Sequence, residues 1–171
     1  MRALLDVNTL IALLHLEHSF HRAAHQWWSD NAKSGWASCP ITEMGVVRIM
    51  SNHRYSGLRT FSISDVTSLI RGFIDNSDHK FWPDDLSIID ERIINYDRLL
   101  VSGQLTDSYL LGLAARFNGR LVTFDRSSRR RFLQRHQIIW SFFDGADRRP
   151  TPSRHNALSP PHCANLEIGI L

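Results

Sequence analysis

Cysteine is scarce in this 171-residue chain, which has only Cys39 and Cys163. Two thiols cannot staple a secreted mini-fold or complete a four-ligand zinc site unaided. Lysine is equally rare, with Lys33 and Lys80 the only two, so nearly all the positive charge is arginine. No stretch approaches the roughly 18 apolar residues that a bilayer crossing needs. Nor does either charge sign dominate: 20 bases face 17 acids, a formal net charge of +3. So small an excess neither demands nor excludes a nucleic-acid partner. What is present is an ordinary globular mixture, 43% hydrophobic and 22% charged, which excludes a disordered or fibrous chain.

The first residues, MRALLDVNTLIALLHL, have the positive start and apolar stretches of an export signal. Asp6 interrupts that run, no small-residue cleavage site follows, and His15, Glu17 and His18 come next. The expectation is a cytoplasmic protein with no membrane partner. At the other end the character changes near Phe143. Residues 144–171 hold four of the six prolines, show no helical or strand period, and balance three bases against three acids. They read as a mobile, proline-rich tail on a domain spanning residues 1–143, which carries the whole net charge.

Within that domain short apolar runs alternate with helical patterns. Ala3–Leu5, Trp36–Cys39, Leu121–Phe124 and Ile138–Phe142 read as strands. Helices are expected over Val7–Leu16, Phe20–Asn31, Pro40–Met50, Ser64–Asn76 (started by Ser64 and Asp65), Leu86–Leu100 and Thr106–Asn118, followed by an arginine-rich helix. Such alternation implies an α/β fold with a central parallel sheet covered on both faces. Ligands of such sheets sit beyond the carboxyl ends of the strands.

Four acids fall at that edge. Asp6 follows the first strand, Glu43 lies in the first turn of the Pro40 helix, Asp107 starts the Thr106 helix, and Asp125 follows Phe124. Acids at helix starts are often caps, and Asp107 after Thr106 is the most cap-like of the four. Taken together they suggest more. Carboxylates about 5 Å apart repel by roughly 3 kcal/mol per pair at an effective dielectric of 20. Protons or a cation must offset that repulsion, and hard oxygen donors favour Mg²⁺ or Mn²⁺ over zinc.

The segments LLDVNTL, ITEMGVVRIMSN, LTDSYLLGLAARFNGRLVTFD and DRSSRRRF, in this order and spacing, resemble PIN-domain ribonucleases. The resemblance is greatest to the VapC-type toxins of bacterial toxin–antitoxin pairs, and it covers residues 1–143. It implies a three-layer α/β/α fold with a central parallel sheet of about five strands. It also implies Mg²⁺- or Mn²⁺-dependent hydrolysis of RNA, leaving a 5′-phosphate and a 3′-hydroxyl. On this pattern Asp6 and Asp107 are metal ligands, Glu43 and Asp125 complete the catalytic acids, and Asn8 and Thr123 support them. The implied partners are an RNA substrate, a cognate antitoxin, and a second copy in a homodimer or a higher toxin–antitoxin assembly. Leu13, Leu14, Trp27 and Trp28 are expected at such an interface.

Positive charge for RNA phosphates is available in Arg126, Arg129, Arg130, Arg131 and Arg135, directly after Asp125, and in Arg48. Arginine binds carboxylates equally well, so these bases could instead meet an acidic partner segment. His21 and His25 share a helix face, but no adjacent acid or cysteine completes a metal site. LLDVNTL is also similar to the D-x-D-x-T signature of haloacid-dehalogenase phosphatases. Asn8 stands at the second acid, however, and an amide cannot donate that proton. A PIN nuclease of RNA processing, outside any toxin pair, would show the same four acids. A non-catalytic RNA-binding module would have no use for them.

Overall fold

The computed structural model describes residues 1–55, 61–90, 93, 102–124 and 169–170. Strand β1 (Ala3–Leu5) leads into helix α1 (Val7–Leu14), followed by α2 (His21–Asn31) and a short 3₁₀ turn. Then come β2 (Trp36–Ser38), α3 (Pro40–Met50), α4 (Ile63–Asp75) and β3 (His79–Phe81). Helix α5 (Gln104–Arg116) precedes β4 (Arg120–Thr123), and β5 is the pair Gly169–Ile170. The sheet runs β3-β2-β1-β4-β5, every neighbouring pair parallel. The α/β class and parallel sheet expected from the alternating pattern are therefore present.

Side-chain alternation along the strands divides the core in two. Ala3, Leu5, Trp36 and Val122 face one side, where they pack with α1, α2, α3 and α4. Leu4, Ala37 and Leu121 face the other, against Tyr109, Leu110 and Leu113 of α5. Trp36 is fully buried between Phe73 and Trp28, and its indole N–H donates to Ser77 Oγ at 2.8 Å. A large apolar ring whose one polar atom finds a partner holds α2 and α4 against the same strand. Leu13 and Trp27 are also buried within the subunit, which removes both from the expected interface set; Leu14 and Trp28 are half-buried.

Several boundaries differ from the sequence expectation for identifiable reasons. Helix α4 begins one residue before Ser64, because Ser62 is its N-cap. The Ser62 hydroxyl accepts the Asp65 N–H while the Asp65 carboxylate accepts the Ser62 N–H, a reciprocal capping box. Helix α5 begins at Gln104, so Asp107 stands in the fourth helical position and is no N-cap. Strand β3 has no counterpart among the expected strands. Its three residues, His-Lys-Phe, show no buried face, and only pairing with β2 reveals it. Residues 86–90 are bend and turn rather than the start of a helix. The remainder of that expected helix (Ile93 apart), the arginine-rich helix, the Ile138–Phe142 strand and the proline-rich tail, apart from Gly169–Ile170, lie outside the described residues.

Replacing Trp36 with alanine should lower the free energy of unfolding by about 3–5 kcal/mol, through the lost transfer energy and the cavity left behind. Urea denaturation followed by circular dichroism measures this, and a loss below about 1.5 kcal/mol would contradict the packing role.

Candidate active site

Asp6 leaves β1 at its carboxyl end and is the N-cap of α1. Its Oδ1 accepts the Thr9 N–H at 2.6 Å, and its own N–H donates to the Val122 carbonyl at 3.0 Å. The Thr9 hydroxyl also donates to Val122 O, at 3.2 Å, so β1, α1 and β4 are tied together at one point. The Thr123 hydroxyl is a further hydrogen-bond partner of the Asp6 carboxylate. Asp6 is only 7% exposed. Burial pushes its pKa above the ordinary carboxylate value, and the nearby Asp107 charge adds to the rise; the hydrogen bonds from Thr123 and Thr9 partly offset it.

A cavity of about 340 Å³ opens beside this point. Asp6, Val7 and Asn8 form one wall, Ile41, Met44, Gly45, Arg48 and Ile49 of α3 a second, and Thr106, Asp107 and Leu110 of α5 the third. Of the residues expected from the sequence, Asp6, Asn8, Asp107 and Arg48 thus share one cavity, and Thr123 touches it through Asp6. Glu43 does not line it. The cavity-facing residues of α3 recur at intervals of three and four, and Glu43 falls between them on another side of the helix. There its carboxylate accepts the hydrogen bond of the buried Ser38 hydroxyl, and Ser38 Oγ lies 2.8 Å from His79 Nε2. Asp125 and Arg126, Arg129, Arg130 and Arg131 lie outside the described residues.

The donors fit a hard divalent cation: two carboxylates, an amide oxygen from Asn8 and the Thr106 hydroxyl, with no cysteine or histidine among the lining residues described. Among the described residues no three His, Cys, Asp or Glu side chains form a metal-binding group. The described part of the site therefore supplies two acids. Thr106 and Gly45 are lining residues that the sequence does not single out, because nothing in composition marks a residue by the helix face it occupies.

The histidines have a structural explanation. Helix α1 has no basic residue in its last turn, and its final carbonyls need partners. His21 Nδ1 lies 2.8 Å from Ala12 O and His25 Nε2 lies 3.0 Å from Leu13 O. With a proton on each of those nitrogens, the two rings cap α1 from the neighbouring helix. The expectation against a metal role for them is consistent with this geometry.

A parallel α/β sheet with two aspartates lining one cavity at its carboxyl edge offers an acidic centre suited to a divalent cation. The PIN domain family model matches residues 3–132, and the chain belongs to that family. It is 43% identical over 127 residues to Ribonuclease VapC44 of Mycobacterium tuberculosis (strain ATCC 25618 / H37Rv), covering 74% of this chain and 88% of that protein. Ribonuclease VapC39 of the same strain is 42% identical over 125 residues, with coverages of 73% and 89%. Ribonuclease VapC38 is 40% identical over 125 residues, with coverages of 72% and 84%. The chain is thus a VapC-type member of the PIN family.

Asp6 also makes a prediction about stability. Because burial raises its folded pKa, the neutral form favours the fold. Its contribution is fully present below the unfolded carboxylate value and is lost as pH rises through the elevated folded value. Asparagine retains the cap to Thr9 without the buried charge. In EDTA at about pH 7, Asp6→Asn should therefore melt above the wild type, and the gap should close as pH falls toward about 4. Added Mg²⁺ should raise the melting temperature of the wild type only. A lower melting temperature for Asp6→Asn in EDTA would refute this account.

Proposed function

We propose that this chain is a divalent-metal-dependent endoribonuclease and the toxin of a toxin–antitoxin pair. The supporting observation is the meeting of Asp6 and Asp107 in one open cavity, in a chain whose VapC relatives are named ribonucleases. The proposed substrate is RNA, cut by hydrolysis to a 5′-phosphate and a 3′-hydroxyl. Proposed partners are a cognate antitoxin and a second copy of the chain, in a cytoplasmic setting. No helix among the described residues is long and apolar enough to cross a membrane.

Mg²⁺ or Mn²⁺ held by Asp6 and Asp107, with Asp125 as the further acid, would supply a polarised phosphate oxygen and a water of lowered pKa. The rest of the chemistry belongs to the protein. Thr9 N–H and the Thr123 hydroxyl orient the Asp6 carboxylate, so that it meets a cation without rearranging. Asp107, in the first turns of α5, fixes the opposite donor. Asn8 and Thr106 line the cavity and can hydrogen-bond substrate or coordinated water. Glu43 acts from outside the cavity, where its bond to Ser38 steadies the junction of β2 and α3.

This arrangement ranks the acids. Asp6→Asn and Asp107→Asn should each reduce cleavage of RNA at least about a hundredfold while leaving the circular-dichroism spectrum unchanged. Glu43→Gln, whose amide oxygen still accepts the Ser38 hydroxyl, should cost at most about tenfold. Induced expression should arrest growth for the wild type and spare cells producing either aspartate variant. Equal cleavage by all four proteins would end the ribonuclease assignment; silencing by Glu43→Gln as complete as by Asp6→Asn would bring Glu43 into the metal site.

A further inference from the structure

The α3 wall of the cavity contains a feature that the acid pair does not explain. Helix α3 presents Ile41, Met44, Gly45 and Arg48 to the cavity. Gly45 is required by contact: a Cβ there would lie 2.6 Å from Val7 Cγ2, so α1 and α3 touch where a side chain would separate them. That approach brings Arg48, one turn further along α3, into the same cavity as Asp6 and Asp107. Arg48 is the only cation in the lining among the described residues. It is exposed, and the ion pairs among the described residues, Arg2–Asp78 and Arg116–Asp85, leave it out.

Its own helix offers no acid either. The residues three and four before it are Gly45 and Met44, and those three and four after it are Ser51 and Asn52. Glu43, the one acid of α3, gives its carboxylate to Ser38. An arginine that has no ion-pair partner among the described residues, and that lines one cavity with two carboxylates, has its planar fork of N–H donors available to an incoming anion. The charge count indicates which anion. Asp6 and Asp107 would neutralise one divalent cation and Asp125 would add a further negative charge, so the charge of a phosphodiester, and the further charge that develops as it is attacked, calls for a positive group from the protein.

Resting on the ribonuclease reading above, we propose that Arg48 is a catalytic residue that binds a non-bridging oxygen of the scissile phosphate. In the step it serves, a water oxygen forms the new bond to phosphorus and loses its proton to solvent. The bond from phosphorus to the 3′-oxygen breaks with its electron pair, and that oxygen takes a proton from solvent. The guanidinium stabilises the charge on the equatorial oxygens throughout. This role differs from that of a general RNA-backbone contact, which would strengthen binding equally in the ground and transition states.

The test uses the wild type, Arg48→Ala and Arg48→Lys. The substrate is a 5′-labelled oligoribonucleotide that spans the position the wild type cuts in total cellular RNA. Single-turnover cleavage in Mn²⁺ is compared with binding of the uncut RNA in EDTA. For Arg48→Ala the expected result is a fall in the cleavage rate of about a hundredfold or more, with RNA affinity and melting temperature within about threefold and about 2 °C of wild type. Arg48→Lys should recover part of the rate, because a point charge remains while the fork is lost. A lysine fulfils the electrostatic role of a cation at the end of α3 as well as arginine does, so full recovery by Arg48→Lys would overturn the proposal in favour of helix stabilisation. So would a loss confined to RNA affinity, or an Arg48→Ala rate equal to that of the wild type. A folded wild type that cuts no RNA overturns the ribonuclease reading and this inference together, whereas an active wild type with an equally active Arg48→Ala overturns this inference alone.

Discussion

The carboxylate of Asp6 is the point on which both fold and site depend. It ends β1, caps α1 through Thr9, bonds the Thr123 hydroxyl of β4, and enters the cavity that Asp107 shares. A capping side chain normally projects into water at little cost. Here it is buried, and its ionised form is penalised by desolvation and by the neighbouring aspartate. The fold tolerates the arrangement because the hydrogen bonds recover part of that penalty, and because a cation bound there would recover more. Under the proposed function, stability is given up at the position where a cation would bind, the usual relation between an active site and its scaffold.

The phase of helix α3 decides a second set of roles. Its positions 41, 45 and 48 line the cavity, whereas 42, 46 and 50 are buried in the interior. Glu43 falls outside the cavity face and finds Ser38 and, through it, His79, whose ring lies 4.4 Å from that of Trp36. The carboxylate is thereby linked to the Trp36 side of the core rather than to the acid pair. Two residues along a helix correspond to about 200° of rotation, and that rotation separates the residues that line the cavity from the one that bonds Ser38 at the end of β2.

The sequence is most legible where one signal determines one outcome. Alternating apolar runs and helical periods give the order of elements and the parallel sheet, and a strand end leads to Asp6 and a helix start to Asp107. The departures have a common cause in tertiary context. Strand β3 exists only because Trp36–Ser38 offers it an edge to pair with, since His79–Phe81 alone has no period-2 pattern. The start of α4 lies earlier than expected because Ser62 and Asp65 act reciprocally, and a search for a single cap finds the inner residue first. Asp107 resembles a cap after Thr106 only if the helix starts there, and the helix begins at Gln104. Proximity to a strand end identifies Glu43 correctly as a residue of the first turn, but it cannot say on which side of that turn the carboxylate lies.

Net charge is the least informative property of the sequence, and the cavity shows why. An average of +3 over 171 residues cannot distinguish a scattered surface from two opposed local groups. The lining places Asp6 and Asp107 on two walls and Arg48 on the remaining one, so a cation and an anion could occupy adjacent parts of one cavity, each facing its opposite sign. Local surpluses of this kind cancel in the sum while remaining strong at short range, because interactions over a few ångströms in a partly desolvated site are screened far less than those across a surface. A small total charge is therefore compatible with a phosphodiester site, provided the positive group is separated from the acids by the width of a substrate. Gly45 sets how near those walls stand: it lets α1 and α3 touch at Val7, so the wall bearing Arg48 faces the same cavity as the wall bearing Asp6.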